Sequence, residues 1–255
     1  MRNIWTICRR ELYAYFVSPI AWVLLAIFAV LSGYFTFLIS SEFVRAGFES
    51  QLQGQSFPMN LNEQVIAPLF SNAAVISLFL IPLISMRLFA EEKRQGTIEL
   101  LVTSPVHEAE IIIGKWLSAV LMFCALLAVL AIDYSFLFFY GKPDWKPVAT
   151  GFLGMVLQAG CLLALGTFIS TLTKNQIVAG AVGFALALLL YILNWTTSFG
   201  NSDTVQFLNY VSIVSHLDSF TRGVIDTKDI LYYCSMIFLG LFLTSRSLES
   251  LRWRA

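Results

Sequence analysis

Residues 86–105 read MRLFAEEKRQGTIELLVTSP and form the one densely charged run of the chain, between two long apolar segments. Its charges alternate in sign, which is typical of a solvated helix face or a docking surface. The charged residues are Arg87, Glu91, Glu92, Lys93, Arg94 and Glu99. We expect a helix over residues 90–103 that is interrupted at Gly96. Ser104 and Pro105 should then start the next helix as its N-cap and first-turn proline. The alternative is an ordinary solvated loop.

The composition around this run is that of an integral membrane protein. Of the 255 residues, 58% are hydrophobic and 15% are aromatic, whereas 13% are charged, and the mean hydropathy is +0.75. A soluble domain of this length does not carry so much apolar surface. The four cysteines lie singly, without the spacing of a metal site, and are expected to act as small hydrophobic residues.

Six segments are apolar over 16 to 25 residues, near the length of about 20 that crosses a bilayer, and they predict an all-α membrane fold. The predicted spans are residues 20–39, 65–86, 116–140, 148–172, 177–195 and 230–245. With both termini on one side, eleven lysines and arginines lie on that side and five on the other. Since positive residues favour the cytoplasmic side, both termini are expected in the cytoplasm.

Two further segments are expected to lie at the membrane surfaces. Residues 1–18 form an amphipathic pattern that predicts an interfacial helix, ended by Ser18 and Pro19; a plain topological anchor is the alternative. We expect residues 40–64 to be a polar connection. Residues 205–217 are mostly apolar but too short to span, so a re-entrant or interfacial hairpin is expected over 203–226. A loop that packs on its own apolar residues is the competing interpretation.

The sequence gives little support for catalysis. It contains neither an HExxH nor a GxSxG motif, and a nucleotide-binding P-loop ahead of Gly114 and Lys115 fails because Ala109 and Trp116 occupy its required positions. His107 and His216 are predicted on opposite sides of the bilayer. We therefore expect no catalytic, cofactor or metal site in this chain, and no nucleic-acid partner.

Asp133 is the one acidic residue well inside a predicted span. At about 1.5 Å per residue it lies ~12 Å below Gly141. Carboxylates within a membrane often line a pathway, which makes Asp133 a candidate pathway residue. The alternative is a hydrogen-bonded or protonated group near the outer mouth. Small residues in the fourth and fifth spans, such as Gly160, Ala164 and Gly183, predict close helix packing, within the chain or across a dimer.

The chain resembles the permease subunits of ABC-2-type ATP-binding-cassette transporters, and among them the bacterial gliding-motility type. The matching stretches are SPIAWV (18–23), RLFAEEKRQGTIELLVTSPV (87–106), GKPDW (141–145), STLTKNQ (170–176), SHLDSFTRGVID (215–226) and SRSLESLRWR (245–254). They cover the whole length, and the stretch at 87–106 is the most specific.

The resemblance implies a coupling helix, at residues 87–105, that a separate ATPase subunit binds. ATP and magnesium would be bound by that partner, and two permease chains, identical or different, would pair in a bacterial inner membrane. Carried onto this chain, the ATPase contact comprises Glu91, Glu92, Lys93, Arg94, Gly96, Thr97 and Glu99, with Ser104 and Pro105 shaping its end. A non-transporting scaffold of a motility or envelope complex is the alternative, and an ion-driven secondary transporter is a third. The cargo is not readable from the residues.

Overall fold

The computed structural model describes residues 2–53, 60–98, 106–141, 143–195 and 203–252, and all regular structure in these ranges is helical. The helices are α1 (Arg2–Val17), α2 (Pro19–Leu52), a π-helix (Asn62–Ile66), α3 (Ala67–Ser85), α4 (Arg87–Gln95), α5 (Glu108–Gly141), α6 (Trp145–Leu172), α7 (Gln176–Ile192), α8 (Asp203–Val211), α9 (Ile213–Thr221) and α10 (Thr227–Arg252).

Six helices within the described ranges are long and apolar enough to cross a membrane, which confirms the predicted all-α fold with six spans. They are α2, the π-helix with α3 and α4, α5, α6, α7 with its last turn, and α10. α6 lies at the centre, in contact with α3, α5, α7, α9 and α10. The spans α2, α7 and α10 are peripheral, since fewer than a third of the residues in their apolar windows are buried.

Two predicted boundaries were wrong. α2 continues to Leu52, so residues 40–52 are helical rather than a polar connection. The helix continues because Ile39 and Phe43 still pack against the core, while Ser41 and Ser50 satisfy their hydroxyls on backbone carbonyls one turn earlier. α5 begins at Glu108, three residues after Pro105, which was expected in its first turn.

α1 packs along the start of α5 and ends where it was predicted to end. Ser18 caps α2 by accepting a hydrogen bond from the Ile20 amide at 3.4 Å, and Pro19 occupies the first turn. The apolar arc of α1 is divided: Cys8 and Tyr15 are buried against protein, whereas Trp5 faces outward. Residues of α1 thus belong both to the core and to the surface.

Small residues allow the central helices to approach closely within the chain. A Cβ atom on Gly240 of α10 would lie 2.7 Å from the backbone of Ala164 on α6. One turn away, the Trp116 indole donates a hydrogen bond to the Gly160 carbonyl at 3.0 Å. In α7, Gly183 faces Pro82 of α3. These contacts place the small residues named here at helix contacts within the chain.

Two short helices, α8 and α9, occupy the range predicted for a hairpin before the last span. The Tyr233 hydroxyl donates to the Ile213 carbonyl at 2.9 Å, and Thr150 donates to the Phe220 carbonyl at 2.7 Å, so α9 is fixed to α6 and α10. We call this the hairpin end of the bundle. The opposite, charged end is formed by α1, α4, the start of α5 and the last turns of α6 and α10.

A candidate partner interface and the ion cluster behind it

The start of α4 is held by a single hydroxyl from α6. Ser170 Oγ accepts hydrogen bonds from the amides of Phe89 and Ala90, at 3.0 and 2.9 Å, and donates to the Met86 carbonyl at 3.1 Å. The first amides of a helix have no partner within the helix, so this hydroxyl satisfies two groups that would otherwise be orphaned. Leu88, Phe89 and Ala90 are buried beneath it. The direction of α4 is therefore fixed relative to α6.

The end of α4 is set by Gly96, whose φ of +72° lies in the left-handed region. The amides of Gly96 and Thr97 both bond to the Glu92 carbonyl, the latter at 3.0 Å. A glycine at this position adopts the left-handed conformation without the steric cost that other residues incur. This confirms the predicted interruption at Gly96 and turns the chain sharply away from the helix axis.

Behind α4 lies an ion cluster of two carboxylates and two cations, which we define as Arg10, Glu11, Glu92 and Lys115. Lys115 Nζ lies 2.9 Å from Glu92 Oε1 and 3.1 Å from Glu11 Oε1. Arg10 lies 2.7 Å from Glu11 and 3.8 Å from Glu92. The cluster joins α1 to α4 and α5, successive described helices that are far from α1 in the sequence.

Lys115 is the buried centre of this cluster. Its side chain is 2% exposed, and the ammonium lies 5.3 Å from the centre of the Phe89 ring. A buried charge is tolerated only when it is paired and hydrogen-bonded, which two carboxylates achieve here. Burial alone would raise the pKa of Glu11. Lys115 and Arg10 lower it by a larger amount, so the pKa of Glu11 lies below that of an ordinary glutamate. Glu11 is therefore ionised at neutral pH.

A second set of contacts secures the same end. The Tyr15 hydroxyl of α1 donates to the Ile84 carbonyl at 2.9 Å, and the Arg87 guanidinium lies over the Tyr15 ring. Lys93 donates to the Thr171 carbonyl at the end of α6, and Thr171 donates to Ser247 of α10 at 2.8 Å. α4 is thus attached to α6 at both its start and its end.

The predicted contact residues on α4 are divided between two faces. Glu92 and Lys93 turn inward and bind other helices, and Glu91 is half-buried and pairs with Arg87 at 3.1 Å. Arg94, Gln95, Gly96 and Thr97 are exposed, and we call these four residues the exposed corner. Glu99, Ser104 and Pro105 lie outside the described residues. The predicted role of all these residues in ATPase contact stays a prediction.

Sequence reasoning missed Glu11 and Lys115 as site residues, because Lys115 was counted only as a topological charge. The sequence does contain a pattern that indicates an inward position for Glu92. Glu92 follows Leu88 and Phe89 by four and three residues, which places the three side chains on one face of a helix. An apolar face that includes a carboxylate predicts a buried cation nearby.

Asp133 lies far from the exposed corner, on the side of α5 that faces α2. Its carboxylate accepts a hydrogen bond from Ser32 at 2.7 Å. The hydrogen-bonded interpretation of Asp133 therefore has a partner, although the predicted one was Tyr134. His107 and His216 lie at opposite ends of the bundle; His216 is buried, 2.7 Å from Asp229 and 2.8 Å from the Tyr210 carbonyl.

Comparison with protein families identifies a match over nearly the whole chain. The model of the ABC-2 family transporter protein matches residues 5–244. Among curated proteins, none matches the chain. The match includes α4, the ion cluster, the first five spans and the sixth span as far as residue 244, so the family extends over both ends of the bundle.

Proposed function

Since this chain belongs to the ABC-2 transporter family and is a multi-pass membrane permease, we propose that it couples ATP hydrolysis in a separate ATPase subunit to export. In general the family implies an ABC ATPase partner and a dimeric arrangement. ATP and magnesium would be bound by that partner. Two permease chains would pair, and the peripheral spans α2, α7 and α10 offer surface for a second chain and for lipid.

One observation carries the coupling proposal: the exposed corner is presented by a helix that is fixed to three others. Ser170 and Thr171 attach α4 to α6, and Lys115 attaches it to α5 and, through Glu11, to α1. A force applied at the corner would therefore move packed helices together rather than bend a loose loop. Closely packed helices that have two arrangements can transmit such a movement.

The positive-inside rule supports a cytoplasmic position for the charged end, which holds most of the chain's lysines and arginines. A membrane-impermeant maleimide tests this position. We expect Thr97→Cys to be labelled only in inverted membrane vesicles and Val224→Cys only in right-side-out vesicles, with exposed Cys234 replaced by serine. Labelling of Thr97→Cys from outside would contradict the proposal.

The docking proposal is tested by co-purification with an ABC ATPase encoded beside this chain and expressed with it. We expect Arg94→Glu to reduce retention of the ATPase at least tenfold. Arg246→Glu is the control, because Arg246 is an exposed cation at the same end, on α10. Both variants should insert and elute as wild type does. Equal retention of the ATPase by both variants would count against docking at the exposed corner.

The resemblance to the gliding-motility type also supports a role in a motility or envelope complex, in which the ATPase does mechanical work without a cargo. ATP turnover distinguishes the two roles. We propose export, and expect a transported cargo to stimulate ATP turnover by the reconstituted complex. ATP turnover that no cargo stimulates, and that depends only on assembly with other envelope proteins, would favour the non-transporting scaffold over export.

A further inference from the structure

A groove of about 410 Å³ opens between α2 and α5, toward the hairpin end. Thr36 and Ser40 line its α2 side, and Asp133 lines its α5 side. Phe37, Phe136 and Tyr140 form its rim and are exposed. We call this feature the hydroxyl groove.

The polar atoms of the groove are incompletely satisfied. Ser32, Thr36 and Ser40 follow one another at intervals of four residues, so their hydroxyls lie on one face of α2. Ser32 donates to Asp133 at 2.7 Å. The hydroxyl oxygens of Thr36 and Ser40 are buried and have no hydrogen-bond partner among the described residues. Buried hydroxyls are normally paired, so a ligand that settles in the groove and reaches these two oxygens would satisfy them.

Helix length places the groove near one boundary of the hydrocarbon core, within reach of lipid headgroups. Eighteen residues of continuous helix separate Lys115 in the ion cluster from Asp133, which is ~27 Å at 1.5 Å per residue. The hydrocarbon core of a bilayer is about 30 Å thick. If the ion cluster marks one surface of that core, Asp133 lies near the other, below the exposed aromatic ring of Tyr140.

No cation of the chain reaches Asp133 among the described residues. At the hairpin end, Arg45, Arg222 and Lys228 each pair with a nearby carboxylate. Arg45 lies thirteen residues beyond Ser32 on α2, a distance of ~20 Å. Lys146 starts α6, level with the end of α5 and so ~12 Å nearer the hairpin end than Asp133. The described residues of a second copy of this chain would therefore bring no positive charge to the depth of Asp133.

We propose that the hydroxyl groove binds the primary ammonium headgroup of a lipid in the leaflet at the hairpin end. The Asp133 carboxylate balances the charge, and the hydroxyls of Thr36 and Ser40 accept N–H hydrogen bonds. The aromatic rim suits a cation, because the faces of these rings attract positive charge. A primary ammonium fits better than a quaternary one, which has no N–H to donate. The site is separate from the ATPase contact and does not depend on it.

Lipid binding to the purified permease, without any ATPase, tests this proposal by native mass spectrometry from detergent. The probes are phosphatidylethanolamine, phosphatidylcholine and phosphatidylglycerol with identical acyl chains. We expect phosphatidylethanolamine to bind at least fivefold more tightly than either of the others. Asp133→Asn should remove most of this preference. Asp144→Asn, a matched change at the same end but outside the groove, should retain it.

A second variant separates a binding role from a folding role. Thr36→Val preserves the shape of the side chain and removes its hydroxyl, so we expect a two- to threefold smaller preference for phosphatidylethanolamine over phosphatidylcholine with an unchanged elution profile. Equal binding of the three lipids, or full preference in Asp133→Asn, would overturn the proposal. Competition by soluble phosphoethanolamine at the same concentration as the lipid would also overturn it, since the ligand would then be a free amine.

Discussion

Replacement of Lys115 by methionine is the sharpest test of the ion cluster. Methionine has a similar length and remains apolar, so the packing against Phe89 is retained while the charge is lost. Glu11 and Glu92 would then face each other behind α4, with only Arg10, which is 59% exposed, to balance them. Removing one partner of a buried ion pair typically costs about 3–5 kcal/mol. For a chain of this size, that corresponds to a lower melting temperature by ~6–20 °C.

The assay is thermal unfolding of the purified permease in detergent, with Arg94→Met as the control. Arg94 is exposed and in no ion pair among the described residues, so its replacement is expected to change stability by less than ~0.5 kcal/mol. The double variant Lys115→Met with Glu92→Gln should recover part of the loss, because one buried carboxylate is neutralised with the cation. The reasoning is refuted if Lys115→Met melts within 2–3 °C of the Arg94→Met control.

Three further predictions concern the same end of the bundle. The pKa of Glu11 is lowered in the folded protein, so ionised Glu11 stabilises the fold above its unfolded pKa of about 4.3. This stabilisation is lost as the pH falls through the pKa that Glu11 has in the folded protein. The melting temperature should therefore fall less steeply below pH 4 in Glu11→Gln than in wild type. Ser170→Ala leaves two amides of α4 without their acceptor, and we expect a loss of about 1–3 kcal/mol, with faster hydrogen exchange at Phe89 and Ala90. In Gly96→Ala the added Cβ atom meets no neighbouring atom, but the backbone stays in the left-handed conformation that alanine disfavours. Thermal unfolding should show a loss of about 1 kcal/mol in stability for Gly96→Ala and a smaller loss for Gly96→Asn.

The spans were predictable because each needs only a local run of about 20 apolar residues. The extension of α2 to Leu52 was not, since Ser41, Glu42 and Arg45 look polar in the sequence while Phe43 and Gly47 turn toward protein. A helix ahead of Trp116 was predicted from Ser104 and Pro105, although in the fold it begins at Glu108. Lys115 ends the apolar run in the sequence, but in the fold its charge is neutralised, so the helix passes through it.

The ion cluster was beyond local sequence patterns because its members come from three helices. Lys115 follows Glu11 by 104 residues. No helical or strand period relates such positions, and only the docking of α1 along α5 brings them together. Gly114 favours that docking, since a Cβ atom at this position would lie 3.0 Å from the side chain of Ile7 and 3.1 Å from the Ile4 carbonyl oxygen.

A substitution on the inward face of α4 can disturb the fold, whereas one on its exposed face tests the ATPase contact alone. Glu92 lies in the alternating charged run that suggests a docking surface, yet its carboxylate is bound to Lys115 and is 17% exposed. A partner that pulled Glu92 outward would leave Lys115 paired with Glu11 alone inside the bundle, at a cost of several kcal/mol. Loss of an ATPase from Glu92→Lys would therefore report a disturbed fold as readily as a lost contact. Among the described residues, the side chains of Arg94 and Thr97 bind no other helix, so substitutions there test the ATPase contact without this ambiguity.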